Sequence, residues 1–324
     1  MSKKSLGTNA LSKSRWPDFF VVGAPKCGTT SMYEYLSQHP DVYFPAFKEP
    51  HFFGSDLVWR KRVIPRYQAL DEYLNAPECA RLGDASVFYL YSARAAEEIY
   101  ARNQNARIVV MIRNPLSMIP SLFHQSIRTG DETHLRLTDA MDAEAQRRLG
   151  NIDVSLNNPG VMQQLYYSDV AKYSEQIERY IQVFGAEKVC VIEYSDFAHD
   201  PLTAVTQVAS FLDLKPFLPT LEQHNKGRSV RSNNLWRFIK HPNPHLRGVW
   251  RTLLPSSFRR HVLTFADRLV FKARKSLEIT PEEQRRIADL YAGDVSILEK
   301  LIGLDLSHWH ADFKAATDSS ASVE

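Results

Sequence analysis

Short apolar runs alternate along the chain with longer segments whose apolar residues recur every three or four positions. The runs are FFVVG (19–23), RIVVMI (107–112) and KVCVIEY (188–194). Runs of five to seven residues between helical segments predict parallel strands covered on both faces. Helices are expected over 29–39, from the spacing of Met32, Tyr35 and Leu36; over 65–76, opened by Pro65; and over 92–103, with Ser92 as N-cap. Another begins near Pro115, where Pro120 should kink it, and a long one covers 166–185 and stops at Gly185. The last two cover 201–212 and 281–303, the latter with Thr280 as cap and Pro281 in the first helical position. The pattern is that of an α/β protein. Without an internal repeat or linker, residues 16–313 read as one domain between polar tails at 1–15 and 314–324.

Composition adds limits rather than detail. Hydrophobic residues make up 44% of the 324 positions and charged residues 24%, an ordinary globular balance. A formal charge of +3 does not indicate a nucleic-acid binder. The distribution is more informative: 225–275 holds thirteen Lys or Arg against Asp267 alone, about +12, leaving the remainder near −9. Cys27, Cys79 and Cys190 are odd in number and lack metal-ligand spacing, which argues against a disulfide framework or zinc site. The N-terminus lacks an apolar h-region, and no apolar run reaches the roughly 18 residues of a membrane span. These features predict a cytoplasmic protein.

The chemistry concentrates where FFVVG enters Gly23-Ala24-Pro25-Lys26-Cys27-Gly28-Thr29-Thr30-Ser31 and then a helix. A strand, a glycine-bounded loop and a helix N-terminus form an anion cradle, because the first helical N–H groups and the helix dipole face the ligand. The spacing departs from G-x-x-x-x-G-K-[ST]: Thr29 stands where the lysine belongs, and Lys26 lies inside the loop. The next apolar strand ends in Arg113-Asn114-Pro115, a cation where a metal-binding Asp would stand. The ligand is therefore expected to be phosphate-like but not a metal-bound triphosphate. A tight strand–helix turn with a surface lysine is the plainer alternative.

P-K-C-G-T-T-S (25–31) resembles the 5′-phosphosulfate loop of sulfotransferases that use 3′-phosphoadenosine-5′-phosphosulfate (PAPS). R-N-P-L-S-M-I-P-S (113–121) is similar to their 3′-phosphate motif. K-E-P-H-F-F (48–53) and L-I-G-L-D-L-S-H-W (301–309) resemble segments of heparan sulfate sulfotransferases and of bacterial members. The resemblance runs over roughly 18–310, and the first two motifs in this order are its specific part. It implies a P-loop-like three-layer α/β/α fold with a central parallel sheet, and sulfuryl transfer to a hydroxyl or amine, leaving 3′,5′-bisphosphoadenosine (PAP) without a required metal.

Transfer expels the 5′-phosphate, so a cation beside the bridging oxygen favours the transition state over the ground state. Lys26 is the candidate, with the backbone of Pro25, Cys27, Gly28, Thr29, Thr30 and Ser31 and the Thr29 and Thr30 hydroxyls around the 5′-phosphate. The planar fork of Arg113, at a strand end, suits the 3′-phosphate. The resemblance adds Ser121 to that phosphate and to restraint of the lysine, Tyr194 to the adenosine, and Lys226-Gly227-Arg228 to a basic loop closing over the nucleotide. It makes Glu49 the base that takes the acceptor's proton, in apolar surroundings that should raise its pKa. His51 is the alternative base or relay, and Lys48 and Ser86 are expected near the acceptor. A salt-bridging Glu49, a structural His51, an exposed Arg113 ion pair and a solvent-facing Ser121 are the structural alternatives.

Residues 236–275 mix aromatic and basic side chains, suited to a polyanion, to peripheral contact with an anionic membrane, or simply to a solvated face. Three functions thus stand: a sulfotransferase acting on a carbohydrate or small-molecule acceptor, a P-loop kinase with a displaced lysine, and a non-catalytic polyanion-binding protein.

Overall fold

The computed structural model describes residues 15–46, 48–61, 66–78, 80–151, 160–221, 228–230, 271–273 and 279–318. In chain order its strands are β1 (Phe19–Gly23), β2 (Val42–Tyr43), β3 (Trp59–Lys61), β4 (Arg81–Asp84), β5 (Arg107–Ile112), β6 (Gly160–Val161), β7 (Val189–Glu193), β8 (Arg228–Val230) and β9 (Phe271–Ala273). Its helices are α1 (Thr29–Leu36), α2 (Arg66–Leu74), α3 (Ala95–Tyr100), α4 (Pro115–Thr129), α5 (Leu137–Asp142), α6 (Glu144–Arg148), α7 (Tyr173–Phe184), α8 (Tyr194–His199), α9 (Pro201–Phe211), α10 (Pro281–Ile302) and α11 (Ser307–Asp318).

The centre is a five-stranded sheet in the order β2-β4-β1-β5-β7, with every neighbouring pair parallel. FFVVG is buried throughout and Ile108–Ile112 are fully buried, as a strand covered by helices on both faces requires. α1 and α9 pack together against β1 and β7, while α7 packs on β5 and β7 beside α3 and α10. This is the expected α/β/α arrangement. Tyr89, Tyr167, Tyr173, Tyr180 and Tyr291 are wholly buried, and each hydroxyl reaches an oxygen partner, so the core carries these phenols without stranding a donor.

Local signals place most helix ends. Asn114 caps α4 by accepting from the Leu116 N–H at 3.0 Å, and the helix runs on through buried Pro120 to Thr129. Thr280 and Glu283 form a reciprocal capping box at α10. Ser92 accepts from the Ala95 N–H at 2.9 Å, although α3 proper begins three residues later.

Two expectations about element limits are corrected. The helix expected over 166–185 begins at Tyr173. Asp294 on α10 accepts from the Ser174 N–H and hydroxyl, and the Tyr291 hydroxyl donates to the Tyr167 carbonyl, so groups that would extend the helix toward 166 are bound elsewhere. Tyr194 does not end a strand but opens α8, because the Glu193 carboxylate caps the Ser195 and Asp196 N–H groups. At the two ends of the described chain, Arg15 donates to the Ala76, Pro77 and Ala80 carbonyls, and α11 runs to Asp318 with Ala316 buried.

Candidate active site

The loop after β1 lies between the carboxyl ends of β4 and β5, the position where open parallel sheets hold ligands. Gly23 is pressed against the 87–90 segment, where a Cβ would lie 2.7 Å from the Val87 carbonyl and the Leu90 Cβ. Gly28, the N-cap of α1, has φ +85°, and a Cβ there would meet the Phe197 ring at 2.9 Å and Tyr194 at 3.2 Å. No side chain caps α1 and its first turn carries no acid, leaving the helix N-terminus suited to an external anion. Lys26 adopts φ 65°, a costly conformation for a residue with a Cβ, and its Nζ donates to Gln125 Oε1 at 2.6 Å.

Cys27 turns inward. Burial pushes its thiol up to about 12 against the lowering hydrogen bond to Tyr173, so only its backbone faces a ligand. Thr29 is also buried, while Lys26, Gly28, Thr30 and Ser31 are half-buried at the loop surface. Arg113 Nη1 donates to the Lys26 carbonyl at 3.2 Å, and its guanidinium lies 4.4 Å from the Tyr194 ring centroid. Tyr173 ties the two sides together: its hydroxyl donates to the Arg113 carbonyl at 3.1 Å and lies 3.7 Å from Cys27 Sγ. Ser121 is half-buried on α4, one turn before Gln125.

A second cluster stands at the end of β4. Glu49 Oε1 accepts from Lys48 Nζ at 2.7 Å, and Glu49 Oε2 lies 3.2 Å from His51 Nε2, the nitrogen that carries the proton against a carboxylate. Glu49 and His51 both have positive φ, 63° and 48°. His51 is held from behind: its N–H donates to Ser86 Oγ at 3.0 Å, and Ser86 in turn donates to Asp84 Oδ1 at 2.7 Å. Tyr89 donates to the other Asp84 oxygen at 3.0 Å, and Trp59 packs edge-on to the imidazole. The side chain of Glu49 is 32% exposed and that of His51 only 10%, so Glu49 is the member open to a second substrate.

The electrostatics differ from the simple expectation. Burial alone would raise Glu49, but the hydrogen bond from His51 and the Lys48 charge outweigh it and hold the carboxyl at about 2. The group pushed upward is Asp84, to about 6, because complete burial exceeds the lowering effect of its Ser86 and Tyr89 hydrogen bonds. The two carboxyls therefore part company: Glu49 is firmly ionised, and Asp84 protonates readily.

The Sulfotransferase domain family model matches residues 16–235, about two-thirds of the chain. The chain belongs to the sulfotransferase family. Human carbohydrate sulfotransferase 15 is 25% identical over 253 residues, covering 62% of this chain and 44% of that protein. Human heparan sulfate glucosamine 3-O-sulfotransferase 3A1 is 25% identical over 219 residues, covering 64% and 48%. The chain thus spans about half the length of these curated relatives. The crystal structure of a sulfotransferase from Alicyclobacillus acidocaldarius aligns with a TM-score of 0.66 at 28% identity, over 91% of this chain and 99% of that one.

In this sulfotransferase, Pro25 to Ser31, Arg113 and Tyr194 come together at one end of the sheet, and Lys48, Glu49, His51 and Ser86 form the adjoining cluster. The Lys26 ammonium donates to Gln125, which stands one helical turn beyond Ser121 on α4. Lys226 and Gly227 lie outside the described residues. Arg228 starts β8, and of the 236–275 segment only 271–273 are described, as β9. Gln125 and Tyr173 carry no signal in the sequence, being ordinary helix positions, and Asp84, in the Gly83-Asp84-Ala85-Ser86 strand end, is assigned no role beside Ser86.

Proposed function

We propose that this sulfotransferase moves the sulfuryl group of PAPS to a hydroxyl or amine of a carbohydrate. The observation that supports this reading is the pairing of an anion-receiving loop bearing Lys26 with an ionised carboxylate, Glu49, at neighbouring strand ends. The loop fits an anionic donor: Gly28 sits where a side chain would fill the cradle, and the α1 N-terminus has no competing acid. The names of the relatives, a carbohydrate and a heparan sulfate sulfotransferase, favour a sugar acceptor.

In this scheme the acceptor oxygen or nitrogen attacks sulfur as the bond from sulfur to the bridging oxygen breaks. PAP leaves with that electron pair, and the acceptor proton passes to Glu49. Lys26 stabilises the charge gathering on the departing phosphate, and Arg113, backed by the Tyr194 ring, holds the 3′-phosphate. His51 and Lys48 orient the Glu49 carboxylate, and Ser86 and Asp84 hold His51 in turn. The free, buried thiols Cys27 and Cys190 favour a reducing compartment such as the cytoplasm.

The test is transfer of radiolabelled sulfate from PAPS to a panel of glycans and small alcohols. Glu49→Gln is expected to cut turnover by roughly 10²–10⁴-fold with little change in PAP affinity. Normal turnover in that variant removes Glu49 as the base. Thermal stabilisation by ATP with Mg²⁺ but not by PAP replaces the proposal with a kinase.

A further inference from the structure

The C-terminal motif resembles the ends of related chains, but its place at the site is set by two long-range hydrogen bonds. Asp312 on α11 accepts from Asn114 Nδ2 at 2.8 Å, across 198 residues of sequence. Trp309, fully buried on the same helix, donates from its indole N–H to Glu193 Oε1 at 3.3 Å. Each partner of α11 directly follows or precedes a residue assigned to the nucleotide: Asn114 follows Arg113, and Glu193 precedes Tyr194.

We propose that α11 is a positioning strut for the 3′-phosphate pocket, with Asp312 as its adjustable contact, setting the Arg113 guanidinium on Tyr194 by fixing the backbone on either side. Asn114 is 8% exposed and uses its whole amide: Oδ1 caps the Leu116 N–H at 3.0 Å while Nδ2 meets Asp312. Asp312 therefore fixes which way the amide faces, and so the start of α4 immediately after Arg113. Glu193 divides its oxygens similarly: Oε1 receives Trp309, and Oε2 receives the Asp196 N–H at 3.1 Å, setting α8 and the Tyr194 ring beneath the guanidinium. Trp309 also lies against Tyr173, whose hydroxyl holds the Arg113 carbonyl. Three supports of one arginine thus converge on one terminal helix.

Asp312 is solvent-exposed and makes no part of the core, so its substitution tests position rather than folding. The inference rests on Arg113 as the 3′-phosphate group, and the readout is discrimination between PAP and 5′-AMP, which lacks that phosphate. Calorimetry on the full chain is expected to show Asp312→Ala losing about tenfold in PAP affinity, the scale of one charge-assisted hydrogen bond, with 5′-AMP affinity changed less than about twofold. Asp312→Asn, which keeps an oxygen acceptor for Asn114, is expected to restore most of the preference. Equal losses for both nucleotides, or no loss for either, overturn the strut. Wild-type protein that does not bind PAP at all instead overturns the donor assignment, and the strut with it.

Discussion

Replacing Lys48 with methionine removes the cation 2.7 Å from Glu49 while keeping an unbranched aliphatic side chain. The Glu49 carboxyl is held at about 2 against an ordinary 4.5, a difference that at face value corresponds to about 3 kcal/mol. A third of the side chain faces solvent, so screening lowers the effective figure to about 2 kcal/mol. His51 and Lys48 share the lowering influence, and an opposite charge at this distance moves a carboxylate by roughly 1–3 pH units. Lys48→Met is therefore expected to raise Glu49 by about two units, the middle of that range, with burial now less opposed. The sign follows from the base's role: turnover is lost as pH falls through the pKa that governs Glu49. In the wild type that loss lies near 2, below any usable assay, so relative turnover should be level from about pH 7 to pH 4 as far as Glu49 is concerned. In Lys48→Met an acid limb should enter the lower part of that window. The assay is sulfuryl transfer at saturating donor across that range, with circular dichroism at each pH to confirm the fold. Parallel profiles for wild type and variant would refute the account in which Lys48 holds Glu49 ionised and Glu49 takes the proton.

Arg113→Ala should weaken PAP binding by roughly 10²-fold, as loss of a bidentate phosphate contact implies, and calorimetry measures it directly. Asp84 is raised in the fold to about 6 from an ordinary 3.8, so between those values the native state holds the extra proton and stability falls as pH rises. Asp84→Asn should flatten that part of the stability–pH curve, which spans up to about 3 kcal/mol, and urea midpoints at either end of the window test it. Arg147 and Glu132 form a wholly buried ion pair, also bonded by the Tyr167 hydroxyl. Arg147→Met alone should cost about 3–5 kcal/mol by stranding the Glu132 charge, and adding Glu132→Gln should recover much of it; equal destabilisation in both variants contradicts that cause.

Much of the framework was readable before any coordinates. The all-apolar runs FFVVG (19–23) and IVVMI (108–112) leave a strand no polar face to present to water, so they had to sit between helix layers. The helix starts at Pro115, Pro201 and Pro281 follow from local capping chemistry that involves only the next few residues. The tight strand–helix loop was legible because glycine at 28 and lysine at 26 serve needs contained within eight residues. Short β2 and β4 carried too little pattern to be distinguished from loops, and the turn at 166–172 looked helical because its apolar spacing is helical.

Contacts between distant residues decided the rest. Whether Ser121 or Gln125 reaches Lys26 depends on the rotation of α4 against the loop, which packing sets. The pKa of Asp84 was set by closure of the core around it, which lifts the carboxyl, whereas the Lys48 and His51 groups that hold Glu49 low are its own near neighbours in the chain. The bonds from Trp309 and Asp312 span more than a hundred residues, and nothing local to either end announces its partner. Sequence periodicity encodes what a segment buries. Only tertiary structure assigns which charge ends beside which, because electrostatic effects follow distance in space and not separation along the chain.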